Sequence, residues 1–587
     1  MGSGSRPAAL AAATICEAFQ ITAAERPDAP ALRLKDNDFA ASFGEFAATV
    51  RRRAAGFAAL GISRGDTVGF MLVNRPAFHL CDSAAMHLGA TCFSIYNTSS
   101  PEQVEYLVGD AANRVLVTEQ AFLDRVLAAR EQVPTLEHVV VVDGEAPPGT
   151  ISLDELEALG DPGFDFEAAW RAVEPEDVLC LIYTSGTTGP PKGVQLTHAN
   201  MLAEWRACGE VFEIEPGGRS ISFLPSAHVA DRWGQLYAQM LFGTCVYCCP
   251  DPRQMVAYTT EVRPTFWGGV PRIWEKLKVA LEAAMAAEQD PERRRAAATA
   301  MEIGRRRVAA YMDGGVPAEL QAEWERADAE VFAPVRALLG LDQVKAFAVG
   351  AAPTPPEVIE FFLAMGIEIC ELWGMSETSS AATVNPPGRV RVGTVGPPLP
   401  GVELKLAEDG ELLIRGPIVM KGYRNMPERT AEALGDDGWL ATGDIGEIDA
   451  DGYLTIVDRK KELIINAAGK NMSPASIEAK LKAASPLVSQ AVAVGDRRPY
   501  NVALIVLDRE VLAARGAGAE DAEIVAEVET AVAAANERLS RVEQIKRFHV
   551  LDREWLPGGE ELTPTLKLRR RPIERRYEAE IEALYDD

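Results

Sequence analysis

Nowhere in the 587 residues does an apolar run approach the roughly 18 that a membrane-spanning helix needs, and the N-terminus lacks the charged, apolar, cleavable pattern of a secretory leader. An integral membrane protein is excluded on this reading, and the chain is expected to be cytoplasmic with no transmembrane segment, peripheral membrane contact being left open. Positive charge is also short: 59 Lys and Arg face 86 Asp and Glu, a net charge of −27. Nucleic acid is therefore not the expected partner, and any anionic ligand must find a locally basic pocket. Histidine is rare, with six residues, and the nine cysteines are dispersed. The tightest group, Cys245, Cys248 and Cys249, sits in an apolar stretch without a second ligand pair at metal spacing, so buried strand cysteines are expected and a zinc site is not. With 47% apolar and 25% charged residues the chain is neither disordered nor fibrous, and its length calls for several structural units.

Against this background, residues 183–193 read Tyr-Thr-Ser-Gly-Thr-Thr-Gly-Pro-Pro-Lys-Gly. The apolar run Val178–Tyr183 leads in as a short buried strand. Gly186, Gly189 and Gly193 free backbone N–H groups to turn inward, Thr184, Ser185, Thr187 and Thr188 add hydroxyls, and Lys192 adds a compact positive charge. Such a loop suits a polyphosphate. It is not the common nucleotide loop, because Gly193, and not Ser or Thr, follows the lysine and two prolines stiffen the approach.

Upstream, apolar runs at 67–72, 90–95, 114–117 and 138–142 alternate with helical-period segments such as 76–88 and 122–133, which predicts βαβ units and mostly parallel sheet. A second α/β unit is expected after the loop, with a helix capped near Thr197. Residues 274–338, rich in Ala, Glu and Arg with breaks at Asp290-Pro291 and Gly314-Gly315, predict a helical insertion. From about 390 to 457 short alternating strands with Asp-Gly turns predict an antiparallel β-subdomain. A fresh α/β pattern begins after the charged link Asp458–Lys461. The expected organisation is an α/β protein with a large N-terminal domain, 1–457, of two α/β subdomains plus a β-subdomain, then a hinge at 458–461 and a small mobile C-terminal α+β domain, 462–587. The basic run Arg569–Arg571 with Arg575 and Arg576 reads as a solvated helix start.

The loop does not stand alone. Gly350-Ala351-Ala352-Pro353, Trp373-Gly374-Met375-Ser376-Glu377-Thr378, Thr442-Gly443-Asp444, Asp458-Arg459-Lys460-Lys461-Glu462 and Thr563-Pro564-Thr565-Leu566-Lys567 follow it in order. This ordered set resembles the adenylate-forming superfamily of acyl-CoA synthetases, luciferases and adenylation domains, and most of all its long-chain fatty-acid CoA ligases. The resemblance implies activation of a carboxylate by ATP to an acyl-AMP with release of pyrophosphate, then transfer to the CoA thiol. It assigns Thr184 and Glu377 to Mg²⁺, and the 184–192 loop, Gly350–Ala352, Trp373–Thr378, Asp444 and Arg459 to the nucleotide. Trp373 would stack on adenine and Asp444 accept from the ribose hydroxyls. Lys567, with Lys192, Glu377 and Thr184, would be catalytic; Ala468, Gly469 and Lys470 would line the pantetheine path of CoA; and Lys461 would be the pivot on which the C-terminal domain swings. His228, Trp233, Trp267, Gly268, Gly269 and Val270 would border the acyl pocket. Alternatives left open are an acyl-AMP ligase that loads a carrier-protein thiol, and a CoA ligase for shorter or aromatic acids. The expected partners are thus the fatty acid, ATP and CoA, and a homodimer is left open.

Overall fold

The computed structural model describes residues 6–184, 190–465, 471–563 and 566–586. Ser185 to Gly189 of the phosphate loop, Ala468 to Lys470 of the expected CoA path, and Pro564 and Thr565 lie outside the described residues.

The longest sheet has eight strands, in the order Gly422–Tyr423, Lys192–Thr197, Val178–Thr184, Thr91–Ser94, Thr67–Met71, Val115–Thr118, His138–Val141 and Ile151–Ser152. The last six are parallel, and their Val, Leu, Ile and Phe residues are buried on both faces because helices pack on either side. Its other edge departs from the parallel expectation. Val178–Thr184 and Lys192–Thr197 are antiparallel, with Thr184 opposite Lys192, so the phosphate loop closes a hairpin. The strand Gly422–Tyr423 then adds antiparallel to Lys192–Thr197 from far along the chain. Thr197 ends that strand and caps the helix His198–Val211 through a reciprocal bond with Asn200, which is the capping box a Thr-x-x-Asn start allows.

A second sheet joins Arg219–Ser222, Cys245–Cys248, Pro30–Arg33 and Ala40–Ser42. A third joins Phe266–Gly269, Ala346–Val349, Ile369–Trp373 and Thr383–Val384, with the first three parallel. Between its first two strands the chain runs through helices Pro271–Ala287, Pro291–Met312, Ala318–Ala327 and Ala333–Leu338. Asp290 caps the second of these and Pro291 takes its first position, where the missing N–H costs nothing. Trp274 pins the first to the body edge-on to Trp267, Phe347 and Phe362. All nine cysteines are buried and free.

Glu403–Leu406, Glu411–Arg415, Leu440–Ile448 and Leu454–Arg459 form an antiparallel sheet. Beyond it, Val488–Val494, Asn501–Leu507 and Ile545–Leu551 make a three-stranded sheet with helices Pro474–Ala484 and Ala522–Glu537 on one face. These residues bury their own apolar clusters, separate from the continuous core of the preceding body. The helix Arg570–Arg576 differs from the solvated start its composition suggests. Arg570 is turned inward onto Glu478 and onto Glu462, 3.1 Å away, because a carboxylate buried on the facing helix requires a cation. Among the described residues, no helix is long and apolar enough to cross a membrane.

Candidate active site

At the mouth of the phosphate-loop hairpin, the strand ends bring Thr184 and Lys192 opposite each other. Lys192 is half-buried, and its ammonium lies 3.9 Å from the centroid of the Tyr423 ring. The Tyr423 hydroxyl donates to Glu377 Oε1 at 2.8 Å. Glu377 is buried on a short turn, Ser376–Thr378, which Thr378 closes by bonding back to Met375. Burial lowers the Lys192 pKa from the usual lysine value, with Glu377 opposing and Lys461, Arg429 and Arg459 reinforcing the shift. Glu377 supplies a hard carboxylate and Thr184 a hydroxyl, a donor set that fits a Mg²⁺ ion keeping water and phosphate oxygens as its other ligands. Among the described residues, no group of three or more His, Cys, Asp or Glu side chains could hold a metal by itself.

The strand Ile369–Trp373 carries the aromatic. The Trp373 indole N–H donates to Asp444 Oδ2 at 2.9 Å, and Arg459 Nε meets Asp444 Oδ1 at 2.8 Å. Asp444 and Arg459 are cross-strand neighbours, which is why two motifs far apart in sequence form one ion pair. Burial pushes the Asp444 carboxyl up from the ordinary aspartate range, and Arg459 and Trp373 pull against it. Gly374 follows Trp373, and a Cβ there would sit 1.8 Å from the Ser380 carbonyl oxygen, so only glycine lets the backbone close at this point. Gly350, Ala351 and Ala352 lie at the end of the neighbouring strand Ala346–Val349, and Ala351 is held at a φ of 73°. Glu371, two residues before Trp373, accepts the Thr354 N–H at 3.0 Å, and burial pushes its carboxyl up to about 7.

Lys567 comes from the other side. Its N–H bonds Thr563 Oγ1 at 2.9 Å, and Leu566 holds a φ of 64°, so a tight left-handed turn presents the side chain. Lys567 is open to water, yet protein encloses the cleft it occupies. That enclosure lowers its pKa first and the Arg459 charge second, while Asp444, Glu377 and Glu462 oppose. The ammonium thus shares one cleft with Asp444, Arg459 and Glu377. His228 feels it too: burial, with Lys567 adding, takes this histidine down to about 4, so it is neutral at pH 7. His228 Nδ1 accepts the Ala230 N–H at 3.1 Å, which leaves the proton on Nε2. The pose is held by Arg272 to Asp508 at 2.8 Å, Lys276 to Glu510 at 3.1 Å and Arg538 to Glu357 at 3.6 Å across the two domains.

Of the expected acyl-pocket residues, Trp233 is buried in a face-to-face stack on Trp205, with centroids 4.5 Å apart. It lies in Arg232–Tyr237, a stretch of widened helical turns of a kind that often marks functional sites. Trp267 is buried, and Gly268 and Gly269 end its strand just before Val270. A Cβ on Gly268 would meet Ala348 at an ordinary 3.6 Å and the Phe266 ring at 3.9 Å, so a methyl would fit in contact but a larger side chain must displace these neighbours.

Sequence reasoning missed Tyr423 and Glu371. Tyr423 stands in an unremarkable Lys-Gly-Tyr-Arg, and the signal that could have found it is the short strand pairing with Lys192–Thr197, which is non-local.

With this geometry in place, comparison with known proteins decides the family. Residues 19–424 match the AMP-binding enzyme family, and residues 461–587 match the AMP-binding enzyme C-terminal domain. The chain belongs to the AMP-binding enzyme family. Within the family, it is 53% identical over 450 residues, 75% of this chain and 79% of the relative, to a Mycobacterium tuberculosis protein named as the fatty-acid–CoA ligase fadD11. It is 36% identical over 558 residues, 92% of each chain, to the long-chain-fatty-acid–CoA ligase FadD15 of Mycobacterium bovis. Among solved structures, the anthranilate CoA ligase AuaEII in complex with anthranoyl-AMP superposes with a TM-score of 0.75, covering 97% of this chain and 98% of that one at 20% identity. That likeness fixes the AMP-binding enzyme fold, with its large domain and smaller C-terminal domain.

Proposed function

We propose that this chain is an ATP-dependent long-chain fatty-acid CoA ligase that works in two half-reactions at one site. The observation that carries the reading is the Trp373–Asp444–Arg459 cluster beside the Lys192–Tyr423–Glu377 contact, with the charges of Asp444, Arg459 and Glu377 acting on Lys567 of the C-terminal segment. The names of the relatives support the fatty-acid and CoA assignments.

In the first half-reaction a carboxylate oxygen attacks the α-phosphorus of ATP, the bond to the β-phosphate oxygen breaks and pyrophosphate leaves. Negative charge grows on phosphate oxygens, so the protein must meet it with fixed cations and donors. Lys567 supplies a cation that the turn Thr563–Lys567 holds in the cleft, and Lys192 a second at the loop mouth. Asp444 offers acceptors for ribose hydroxyls, and Trp373, fixed by its bond to Asp444, offers a flat apolar face for adenine. Thr184 and Glu377 would hold Mg²⁺, which when bound neutralises polyphosphate charge. In the second half-reaction the CoA thiol, giving up its proton to water, attacks the acyl carbon through sulfur, the acyl–oxygen bond to AMP breaks, and acyl-CoA and AMP result. Neutral His228, with a proton on Nε2, is assigned to donate a hydrogen bond to the acyl carbonyl. Residues 462–587 turn on Lys461 between the two steps, so that Lys567 is replaced at the cleft by the 466–470 loop.

The test is a pyrophosphate-release screen over acids from acetate to long fatty and aromatic acids, with and without CoA and with a carrier protein as alternative acceptor. Thioester formation with CoA, greatest for long acids, is the expected result. Release without CoA-dependent turnover, or a preference for aromatic acids, would overturn the reading.

A further inference from the structure

Tyr423 touches both charged groups at the loop mouth. Its ring face holds the Lys192 ammonium at 3.9 Å and its hydroxyl holds Glu377 Oε1 at 2.8 Å. The tyrosine is itself fixed from three directions. Its backbone pairs with Val194, two residues from Lys192, its N–H donates to Thr430 Oγ1 at 2.9 Å, and Met420, just upstream, donates its N–H to the Glu377 carbonyl at 2.8 Å. The segment 420–424 is therefore bolted to the lysine strand on one side and to the carboxylate turn on the other. The ring is buried, with only 6% of the residue exposed.

A packing role alone would need only the ring. A phenylalanine fills the same volume, yet the hydroxyl is spent on one oxygen of Glu377 and leaves the second oxygen to face a cation. The half-buried ammonium on the ring face makes a cation–π contact, strong enough to bias a flexible lysine and weak enough to release it to a phosphate.

We propose that Tyr423 is a positioning residue for the metal–nucleotide step, its hydroxyl orienting Glu377 toward the divalent cation and its ring seating Lys192 beside that carboxylate until a polyphosphate takes the lysine. This rests on the ATP-dependent reading of the site. It also explains why the chain spends a long-range strand, Gly422–Tyr423, on the edge that carries Lys192.

Two measurements on the full chain test it: the Mg²⁺ concentration for half-maximal pyrophosphate release at fixed ATP, and Mn²⁺·ATP affinity by electron paramagnetic resonance without any acid. Tyr423→Phe should raise the Mg²⁺ midpoint roughly tenfold, the scale of one hydrogen bond to a charged group, and weaken Mn²⁺·ATP similarly, with metal-free ATP affinity unchanged. Tyr423→Leu should show the same metal shift and lose roughly threefold to fivefold in metal-free ATP affinity, because Lys192 loses its seat. In a Glu377→Gln background, Tyr423→Phe should add no further metal shift. A Phe variant with an unmoved midpoint and unmoved Mn²⁺·ATP affinity overturns the proposal, as does a full shift persisting in the Glu377→Gln background. Should the Leu variant not fold, the isosteric Phe variant decides alone. A wild-type chain that binds no Mn²⁺·ATP overturns the underlying ATP-dependent reading, which is a different result from an inert Phe substitution.

Discussion

Glu377 and Asp444 are each 5% exposed and held by side-chain partners, Glu377 by the buried Tyr423 and Asp444 by the half-buried Trp373 and the exposed Arg459, whereas Lys567 stands exposed beside the Thr563 hydroxyl that bonds its N–H. The large domain presents its groups preorganised. The C-terminal domain presents its one cation on a part held in place by three charge pairs, of which Lys276 to Glu510 is largely solvated. Exposed pairs of this kind are worth about 0–1 kcal/mol each, whereas removing one partner of a buried pair such as Arg232 to Asp82 at 2.8 Å costs about 3–5 kcal/mol. In the proposed two-step mechanism, one half of the site stays and the other leaves. That difference in attachment is what a two-step reaction at a single cleft requires.

The comparison breaks most visibly if the cation is deleted. Lys567→Ala should lower acyl-AMP formation by about 10²–10³-fold, the loss expected for one preorganised group facing developing phosphate charge. Thioester formation from supplied acyl-AMP should stay within a few-fold of wild type, since Lys567 serves only the first step. Equal loss in both half-reactions would mean that this lysine holds the fold or the cleft together.

Next comes the attachment itself. The turn after Arg459 is closed by Glu462 and Leu463 N–H groups bonding the Arg459 carbonyl, so Lys461→Pro removes none of these bonds while fixing one backbone angle. Adenylation should persist within about threefold, and CoA transfer should fall by roughly ten- to a hundredfold. A variant that transfers normally would place the pivot elsewhere.

A smaller effect separates the acyl pocket from the nucleotide site within the large domain. A methyl on Gly268 would already touch Ala348, and Gly268→Phe should cost long acids about tenfold more in kcat/KM than short ones, since a buried methylene is worth about 0.8 kcal/mol. Loss independent of chain length would remove Gly268 from the tunnel wall.

What could be read in advance follows the same division. Motifs whose partners are local in sequence, such as the Thr197 cap or the strand leading into the phosphate loop, were legible because their physics is local. The ordered motif set also marked Trp373, Asp444, Arg459 and Lys567, which the fold brings to one cleft. The hairpin form of the loop was not legible, because an antiparallel return at Lys192–Thr197 reads like any other strand. Arg570 looked solvated because its partner Glu478 lies on another element, and nothing in a basic run reveals a buried carboxylate across from it. Tyr423 was hidden for a related reason: its role exists only where three separated segments meet.

The mildest test concerns a buried group in the large domain that no motif marked. Glu204 lies fully buried on the helix His198–Val211, and its Oε1 accepts the Ala381 N–H at 2.9 Å, just after Ser379 and Ser380 hold φ values of 61° and 129°. It therefore supports the return of the Trp373–Thr378 loop into the body. Burial pushes its carboxyl up from 4.5 to about 8, with the Ala381 bond opposing. Because the folded state holds this proton more tightly than the unfolded chain, the associated stability is complete below about pH 4.5 and is lost progressively as the pH rises to about 8. Glu204→Gln keeps an acceptor for Ala381 without the charge, so its melting temperature should gain on wild type by roughly one degree per pH unit between about pH 5 and 8, and no further above that. No counterpart is expected from Lys567→Ala, whose side chain is exposed to water. Melting curves of Glu204→Gln and wild type that run parallel across this range would show that Glu204 stays ionised in the fold, held by a cation or water that its surroundings do not display.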